Sequence, residues 1–241
     1  WRKSGKVWSR TLPAGTAKIT QLFMAGQALR TAQWPNADTG SSRMALIAAN
    51  STSMKSAALQ ASDSTSLSGK DLAGATVQVR TQPWFVETRR VLNLGNSRME
   101  LDSSTDWALE AGEGFVLQDK RWMLDAAGEF FHDTAAQRLY LIAPAAGAPT
   151  DLNTVSVEGS VRDVALALAQ RSKLVVRDLA MHAAREDGLR ITDAPQTRLE
   201  RIEARDNMSA GVRLWQWEKI AASTPGPSIT DSLVAGNGQY G

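Results

Sequence analysis

Three aspartates in the last third of the sequence are candidates for acid–base chemistry. Asp187, Asp206 and Asp231 lie among short, recurring apolar runs. Two carboxylates about 5 Å apart cleave a glycosidic bond with retention of configuration, and a separation of about 6.5–9.5 Å leads to inversion. The three positions are offset within the repeats described below, so the sequence aligns no two of them. Each is therefore either a catalytic residue whose partner lies beyond Gly241, or an aspartate that stabilises a turn.

Four further side chains in this segment are candidates for binding a ligand. Arg190 and Arg213 each lie between two apolar residues, so strand alternation directs both outward. Two stacked guanidinium groups repel unless an anion bridges them, and the carboxylate of a uronic acid does so with paired hydrogen bonds. The alternative is that both arginines pair with acidic residues of the preceding domain. Trp215 and Trp217 follow Arg213 at alternate positions, so their side chains are also directed outward. They are expected either to stack on sugar rings or to pack beneath the preceding domain.

The segment that carries these residues is repetitive. Residues 179–188, 202–211 and 233–241 superimpose, and their terminal glycines lie 23 and 30 residues apart. Such a period, with short strands, a polar turn and a glycine, is typical of a parallel β-solenoid whose coils stack about 4.8 Å apart. Asn207 and Asn237 fall at about the same place in consecutive repeats. This placement predicts a ladder of side-chain amides that satisfies backbone groups.

The preceding residues predict a β-rich domain. A short helix is expected at about residues 53–61, and a segment rich in Ala, Gly and Pro at 144–149 indicates a linker. The chain is therefore expected to divide into residues 1–158, a β-rich domain, and residues 159–241, a set of coils. Short alternating runs between turn signals predict strands at residues 19–24, 28–30, 75–80, 85–92, 97–101, 129–133 and 138–142.

The last two of these strands form a predicted hairpin that contains several titratable side chains. Asp125, Glu129, His132 and Asp133 resemble an acid–base cluster, and alternation places Glu129 and Asp133 on one face. Asp125 and Asp133 also precede turns, where aspartate accepts hydrogen bonds from nearby backbone N–H groups. The second, structural role is the prediction adopted for this hairpin.

Composition excludes several other kinds of function. The 241 residues have a net charge of +2 with the charges scattered, so a nucleic-acid partner is not expected. The sequence has no Cys and only two His, which excludes cysteine nucleophiles and leaves little for a metal site, so no metal ligand is predicted. Its longest apolar runs are far shorter than a membrane span.

Several motifs together resemble one family. Residues 7–15, 21–27 and 32–36 are similar to the β-rich insert of bacterial carbohydrate enzymes with a right-handed parallel β-helix, that is, a pectin-lyase-like fold. Residues 122–133, followed by Arg-Leu-Tyr-Leu at 138–141, are similar to a signature of that family. The signature reads Leu-Asp-x-Pro-Gly-Glu-aromatic-aromatic-x-Asp, and Ala127 stands where proline is common.

This resemblance implies an all-β protein in which a β-rich insert is followed by an incomplete right-handed parallel β-helix. It implies a secreted or periplasmic piece of a larger carbohydrate-active enzyme whose partner is a polysaccharide or oligosaccharide. The expected activity is glycoside hydrolysis by two carboxylates, without a cofactor. Two alternatives stay open: a polysaccharide lyase, which would use Arg or Lys and a Ca²⁺ ion, and a non-catalytic solenoid that binds glycans or mediates adhesion.

Overall fold

The computed structural model describes residues 1–36, 44–219 and 221–238. Strands dominate, so the chain is all-β, as predicted. It divides into two compact units: the first contains Trp1–Gly15 and Leu29–Val155, and the second contains Thr16–Ala28 and Ser156–Gly241. Within the described residues, the helices are too short and too polar to cross a membrane.

The first unit is built almost entirely from antiparallel strands. In the described residues its one α-helix is α1 (Ala61–Leu67), and short 3₁₀ turns lie at Arg121–Met123 and Leu152–Thr154. Its strands are β1 (Arg2–Ser4), β2 (Val7–Thr11), β4 (Gln27–Thr31), β5 (Gln33–Trp34), β6 (Ala45–Leu46), β7 (Ser56–Ala58), β8 (Thr76–Gln82), β9 (Phe85–Gly95), β10 (Arg98–Leu101), β11 (Gly114–Gln118), β12 (Glu129–Asp133) and β13 (Arg138–Ile142). The first two residues of β4 belong to the second unit.

These strands form two sheets over an apolar core. One has the order β1-β2-β13-β12-β4, in which only β12 and β4 are parallel, and the other has the order β5-β11-β8-β9-β10-β7. The predicted hairpin is confirmed, because β12 and β13 have the expected bounds. Alternation places side chains such as Val77, Val79, Phe115 and Leu117 in the core, where each is at most 1% exposed.

The predicted helix at residues 53–61 is wrong. Ser56–Ala58 forms β7 and pairs with β10, and the helix follows only at Ala61–Leu67. Ser56 and Ala57 are buried in this pairing. The run of small residues therefore forms a strand whose pairing partner lies 40 to 44 residues further along the chain, so the local sequence contains no sign of that partner.

The second unit contains three parallel sheets, each of three strands. The sheets are β15-β18-β21, β16-β19-β22 and β17-β20-β23, and β3 and β14 form an antiparallel pair. The strands are β3 (Leu22–Met24), β14 (Val157–Gly159), β15 (Val164–Ala169), β16 (Val175–Arg177), β17 (Ala180–His182), β18 (Asp187–Thr192), β19 (Arg198–Glu200), β20 (Glu203–Arg205), β21 (Val212–Trp215), β22 (Ser228–Thr230) and β23 (Leu233–Ala235).

Strand pairing follows the spacing that the sequence predicts. Leu166, Leu189 and Val212 are aligned at intervals of 23 residues, whereas Leu199 aligns with Ile229, which is 30 residues further on. The seven additional residues lie between β21 and β22. Leu189 and Leu199 are fully buried in the second unit's own core, Leu166 and Val212 pack against it partly buried, and Ile229 is 41% exposed.

An asparagine ladder stabilises one turn of this unit. Asn207 is fully buried, and its Nδ2 donates to Oδ1 of Asn237 across 2.9 Å. Its Oδ1 accepts from the N–H of Ala184 across 3.0 Å. The predicted ladder is thus confirmed, and its physical role is to satisfy backbone groups that no strand pairs.

Residues 16–28 are grouped with the second unit, although the expected boundary near residue 158 places them in the first. Gln21 is buried there. Its Nε2 donates to the carbonyl of Asp206 across 3.2 Å, and its Oε1 accepts from Ser160 across 3.1 Å. A buried amide that has both partners within the second unit explains why this segment packs on it. The boundary itself stays a prediction.

Candidate functional site

Asp187 lies at the centre of a cluster on the β15-β18-β21 sheet. Its Oδ2 accepts from Nε of Arg190 across 2.7 Å and from Nε of Arg213 across 2.8 Å. Its Oδ1 accepts from the N–H of Ala210 across 3.3 Å. The carboxylate is fully buried, while each arginine side chain keeps about a third of its surface exposed, 32% and 30%. The structure thus brings together three residues that the sequence selects separately.

This cluster fixes the charge state of Asp187. Burial raises its pKa, but the hydrogen bonds from Arg213, Arg190 and the N–H of Ala210 lower it more, so the net pKa lies below the ordinary value of 3.8. Both oxygens are occupied. Such a carboxylate suits the positioning of two arginines better than proton transfer, which needs a pKa near the working pH.

The anion that bridges the stacked arginines therefore comes from their own strands. Arg190 and Arg213 are aligned in the strand register, and Asp187 bonds to both. Arg190 also pairs with Glu186 across 2.5 Å, and Arg213 donates to Oγ of Ser209 across 2.7 Å. From the sequence alone, the bridging anion is predicted to be either a uronate ligand or an acidic residue of the preceding domain.

The other two candidate aspartates occupy corners between strands. Asp206 and Asp231 have φ angles of 55° and 49°, in the left-handed region that Asp tolerates better than most residues. Asp178, Arg201 and Asp231 occupy equivalent corners with positive φ angles. Each lies between a strand of the β16-β19-β22 sheet and the next strand, in the β17-β20-β23 sheet. The structure does not bring either aspartate to Asp187 as a matched pair. Their catalytic role stays a prediction.

Trp215 and Trp217 form an exposed aromatic corner. The rings are 5.5 Å apart and inclined at 78°, and their side chains are 47% and 73% exposed. The guanidinium of Arg213 lies 5.4 Å from the centre of the Trp215 ring. Two perpendicular faces open to solvent can contact a sugar ring on its face and on its edge at the same time.

Asp193 anchors the loop that carries Trp217. Its Oδ1 accepts from the backbone N–H groups of Trp217 and Glu218 across 2.7 and 2.9 Å, and from Nε2 of Gln216 across 2.9 Å. The loop directly follows β21, where no regular strand pairing continues. Asp193 is therefore a positioning residue for the aromatic corner, and sequence reasoning missed it.

Sequence reasoning also missed a register-matched pair of carboxylates. The N–H of Glu186 donates to the carbonyl of Asp163 across 2.8 Å, immediately before the aligned residues Val164 and Asp187. The side chains of Asp163 and Glu186 are 58% and 51% exposed. The available signal was their separation of 23 residues, which equals the repeat.

The backbone spacing at this pair is close to a known requirement of glycoside cleavage. Neighbouring parallel strands lie about 4.8 Å apart, and retaining glycosidases hold their carboxylates about 5 Å apart. Each carboxylate also contacts an arginine: Asp163 lies 2.7 Å from Arg185, and Glu186 lies 2.5 Å from Arg190. Among the described residues, no group of three or more His, Asp or Glu side chains is arranged to hold a metal ion.

The titratable residues of the hairpin have structural partners in the first unit. Oδ1 of Asp133 accepts from the N–H groups of Ala135 and Ala136, which confirms that it stabilises the turn. Asp125 instead accepts from Nδ2 of Asn36 across 2.8 Å. Glu129 is buried, and burial raises its pKa above the ordinary value of 4.5, although backbone N–H groups at Ala126 and elsewhere oppose the rise.

Comparison with solved structures identifies a related fold. The chain is similar to a protein described as a glycoside hydrolase, with a TM-score of 0.64 and 14% identity, over 96% of this chain and 57% of that chain. At this identity the similarity shows the fold alone. The tailspike gp61 of Pseudomonas phage phi297 matches 80% of this chain and 32% of its own at 10% identity, and its TM-score of 0.23 is too low to support an argument. No family model and no curated protein matches the sequence.

Proposed function

We propose that the chain belongs to a carbohydrate-active protein, a glycoside hydrolase, that holds its glycan on the β15-β18-β21 sheet. We further propose that the three parallel sheets are the opening coils of a right-handed parallel β-helix. The exposed Trp215–Trp217 corner carries this proposal, because adjacent exposed aromatic rings mark an interaction surface and two open indole faces suit the apolar faces of sugar rings. The fold shared with a protein described as a glycoside hydrolase supports the same assignment.

Asp163 and Glu186 are the proposed carboxylate pair for hydrolysis. They stand at matched positions immediately before two neighbouring strands, and the strand spacing of about 4.8 Å is close to the roughly 5 Å that retention of configuration requires. One carboxyl group acts as the acid and the other as the nucleophile. Asp163 contacts Arg185 and Glu186 contacts Arg190, so the ion pair of the carboxyl group that acts as the acid opens when the glycan binds. Arg190 and Arg213 then present their hydrogen-bond donors to the glycan.

The test is digestion of neutral and uronate-rich polysaccharides by the protein. Hydrolysis predicts new reducing ends without the ultraviolet absorbance of unsaturated sugars, and the reaction should be lost in Asp163→Asn and in Glu186→Gln. The matched control is Asp178→Asn, which removes an exposed carboxylate from a comparable ion pair with Arg201. New reducing ends together with the absorbance would indicate a lyase. If the protein binds a glycan but produces neither new reducing ends nor the absorbance, it is not a hydrolase, and the alternative of a non-catalytic glycan-binding solenoid is then favoured.

A further inference from the structure

The first unit carries a second exposed aromatic group, which the proposed function does not use. Trp84, Phe85 and Trp107 form a cluster, here called the Trp84 cluster, whose ring centres are 4.9 to 5.8 Å apart. Trp84 lies in the two-residue connection between β8 and β9 and is 72% exposed. In the part of the chain that the structure describes, none of the three rings belongs to the first unit's core or borders it.

A buried carboxylate holds this cluster in place. Glu87 is 3% exposed, and its two oxygens accept from the N–H of Asp106 across 3.1 and 2.8 Å. Its Oε1 also accepts from the hydroxyl of Thr81 across 2.9 Å. Glu87 thereby connects β9 to the backbone of the loop that carries Trp107, without the help of a ligand.

Further hydrogen bonds fix the same loop from both sides. Oγ1 of Thr105 donates to the carbonyl of Trp107 across 2.6 Å, and Nε of Arg89 donates to the carbonyl of Ser104 across 2.8 Å. Placing a buried charge and an arginine beneath a surface loop costs desolvation free energy. A loop that is already ordered loses little conformational entropy when a ligand binds, and this smaller loss strengthens binding.

The size of the exposed surface favours a small, flat ligand. A whole aromatic side chain offers about 150–250 Å², and only Trp84 in the cluster is mostly exposed while the other two rings are half-buried. The open area is therefore well below the roughly 800 Å² that each partner contributes to a stable protein interface. It is enough to cover one or two sugar rings.

The border of the cluster offers an exposed hydrogen-bond acceptor. The carboxylate of Asp106 is 68% exposed. A pyranose has an apolar C–H face and a rim of hydroxyls, so it can stack on the indole while a hydroxyl donates to Asp106. Arg89 is only 17% exposed and donates to the buried Glu87 across 2.5 Å, so the exposed charge at the border is that of Asp106, which favours a neutral glycan over an anionic one.

We propose that the Trp84 cluster is a second glycan-binding site, which takes a pyranose ring of a neutral glycan by stacking on Trp84. The choice of a sugar as the ligand rests on the proposed function. The site itself lies in the first unit, contains no proposed catalytic residue, and binds without cleaving.

The experiment counts binding sites on the full chain by isothermal titration with cello-, laminari-, malto- and xylohexaose. The wild type should bind one of these at two sites, and Trp84→Ala should lose one site or weaken it about tenfold, the scale of one aromatic contact. Trp84→Phe, which keeps a ring, should retain most of the binding. Leu92→Ala is the matched control, because Leu92 is an exposed apolar residue of the same hairpin, at 54%.

The outcomes separate this inference from the proposed function. If Trp84→Ala binds at both sites while Trp217→Ala loses one, the Trp84 cluster is not a glycan site and the proposed function stands. If no hexaose binds the wild type, the Trp84 cluster is not a site for a neutral glycan, and the digestion of uronate-rich polysaccharides decides the proposed function separately. If Trp84→Ala leaves glycan binding intact but abolishes self-association in sedimentation velocity, the occupant is a second copy of the chain and the inference is overturned.

Discussion

Arg213 donates to Asp187 across the gap between two neighbouring strands, with 2.8 Å between Nε and Oδ2. The same oxygen accepts from Arg190 on the strand of Asp187 itself. A column of two like charges is thereby neutralised from within the sheet, without a ligand. What the arginines still offer to a ligand is their exposed nitrogen edges and the Arg213–Trp215 contact.

Substituting Asp187 tests this arrangement. Asp187→Asn keeps the shape of the side chain but removes the charge that separates two stacked guanidinium groups. We expect the free energy of unfolding to fall by about 2 kcal/mol, less than the roughly 3–5 kcal/mol of a fully buried pair because both arginines are partly exposed. Urea unfolding at neutral pH measures the change.

The control for this variant is Asp178→Asn. Asp178 is 59% exposed and pairs with the exposed Arg201 across 2.7 Å, so its loss should cost less than about 1 kcal/mol. The depressed pKa of Asp187 adds a pH signature. Its contribution is present above the unfolded-state pKa of about 3.8 and is lost as the pH falls through the lower folded-state pKa. Equal losses in the two variants would contradict the bridging role.

The close approach of neighbouring strands predicts that Gly188 tolerates no side chain. A Cβ at this position would lie 2.6 Å from Nδ2 of Asn207 and 2.7 Å from the carbonyl of Gly211. Gly188→Ala should therefore lower the free energy of unfolding by about 1–3 kcal/mol through overpacking. Gly226→Ala is the control, because nothing lies within 4 Å of its Cβ. A stable Gly188→Ala protein would show that the asparagine ladder is not as tight as described.

The sequence predicts the parts of this fold whose determinants are local. The β12–β13 hairpin is visible because alternation and the four-residue turn lie in one continuous segment. The 23-residue spacing is visible because Gly188 and Gly211 are required at the same close contact, whereas Gly241, which gives the 30-residue spacing, lies outside the described residues. The helix fails for the opposite reason, since its predicted place is taken by β7 and the distant β10 determines that pairing.

The candidate site is less predictable, because its contacts connect positions that no motif links. Ala165 stands in β15 where the neighbouring strands have Gly188 and Gly211, so the glycine that marks the repeat is missing there. The sequence therefore gives little sign that Asp163 and Glu186 are matched. The roles of Asp187, Asp193 and Glu87 depend on the loop or strand opposite each carboxylate, which only the folded chain defines.

Glu129 predicts a second, opposite dependence of stability on pH. Burial raises its pKa above 4.5 more than the backbone hydrogen bonds lower it. A raised folded-state pKa gives a contribution that is present below about pH 4.5 and is lost as the pH rises through the folded-state value. Glu129→Gln is neutral throughout, so the stability of the wild type relative to this variant should fall between pH 4.5 and neutrality. Urea unfolding across this range measures it, and a constant difference would contradict the assignment.

Asp193 predicts an effect on binding that exceeds its effect on stability. Its Oδ1 is the acceptor for the backbone N–H groups of Trp217 and Glu218, so Asp193→Ala frees the loop while both tryptophans remain present. The dissociation constant for a neutral hexaose should rise about three- to tenfold, because the ordering of the loop must then occur on binding. The free energy of unfolding should change by less than about 1 kcal/mol, since the loop is exposed and Trp217 is 73% exposed.

Asp193→Asn separates positioning from charge, because its side-chain oxygen still accepts the two backbone hydrogen bonds. We expect it to restore most of the affinity. Acrylamide quenching of tryptophan fluorescence in the presence of the hexaose gives an independent readout, since Trp217 in Asp193→Ala should be protected less than in the wild type.

During glycan digestion the effect of Asp193→Ala should appear in KM and not in kcat, because Asp193 holds a binding loop and touches no reacting atom. A fall in kcat with an unchanged KM would reject the positioning role and would place Asp193 in the chemistry itself.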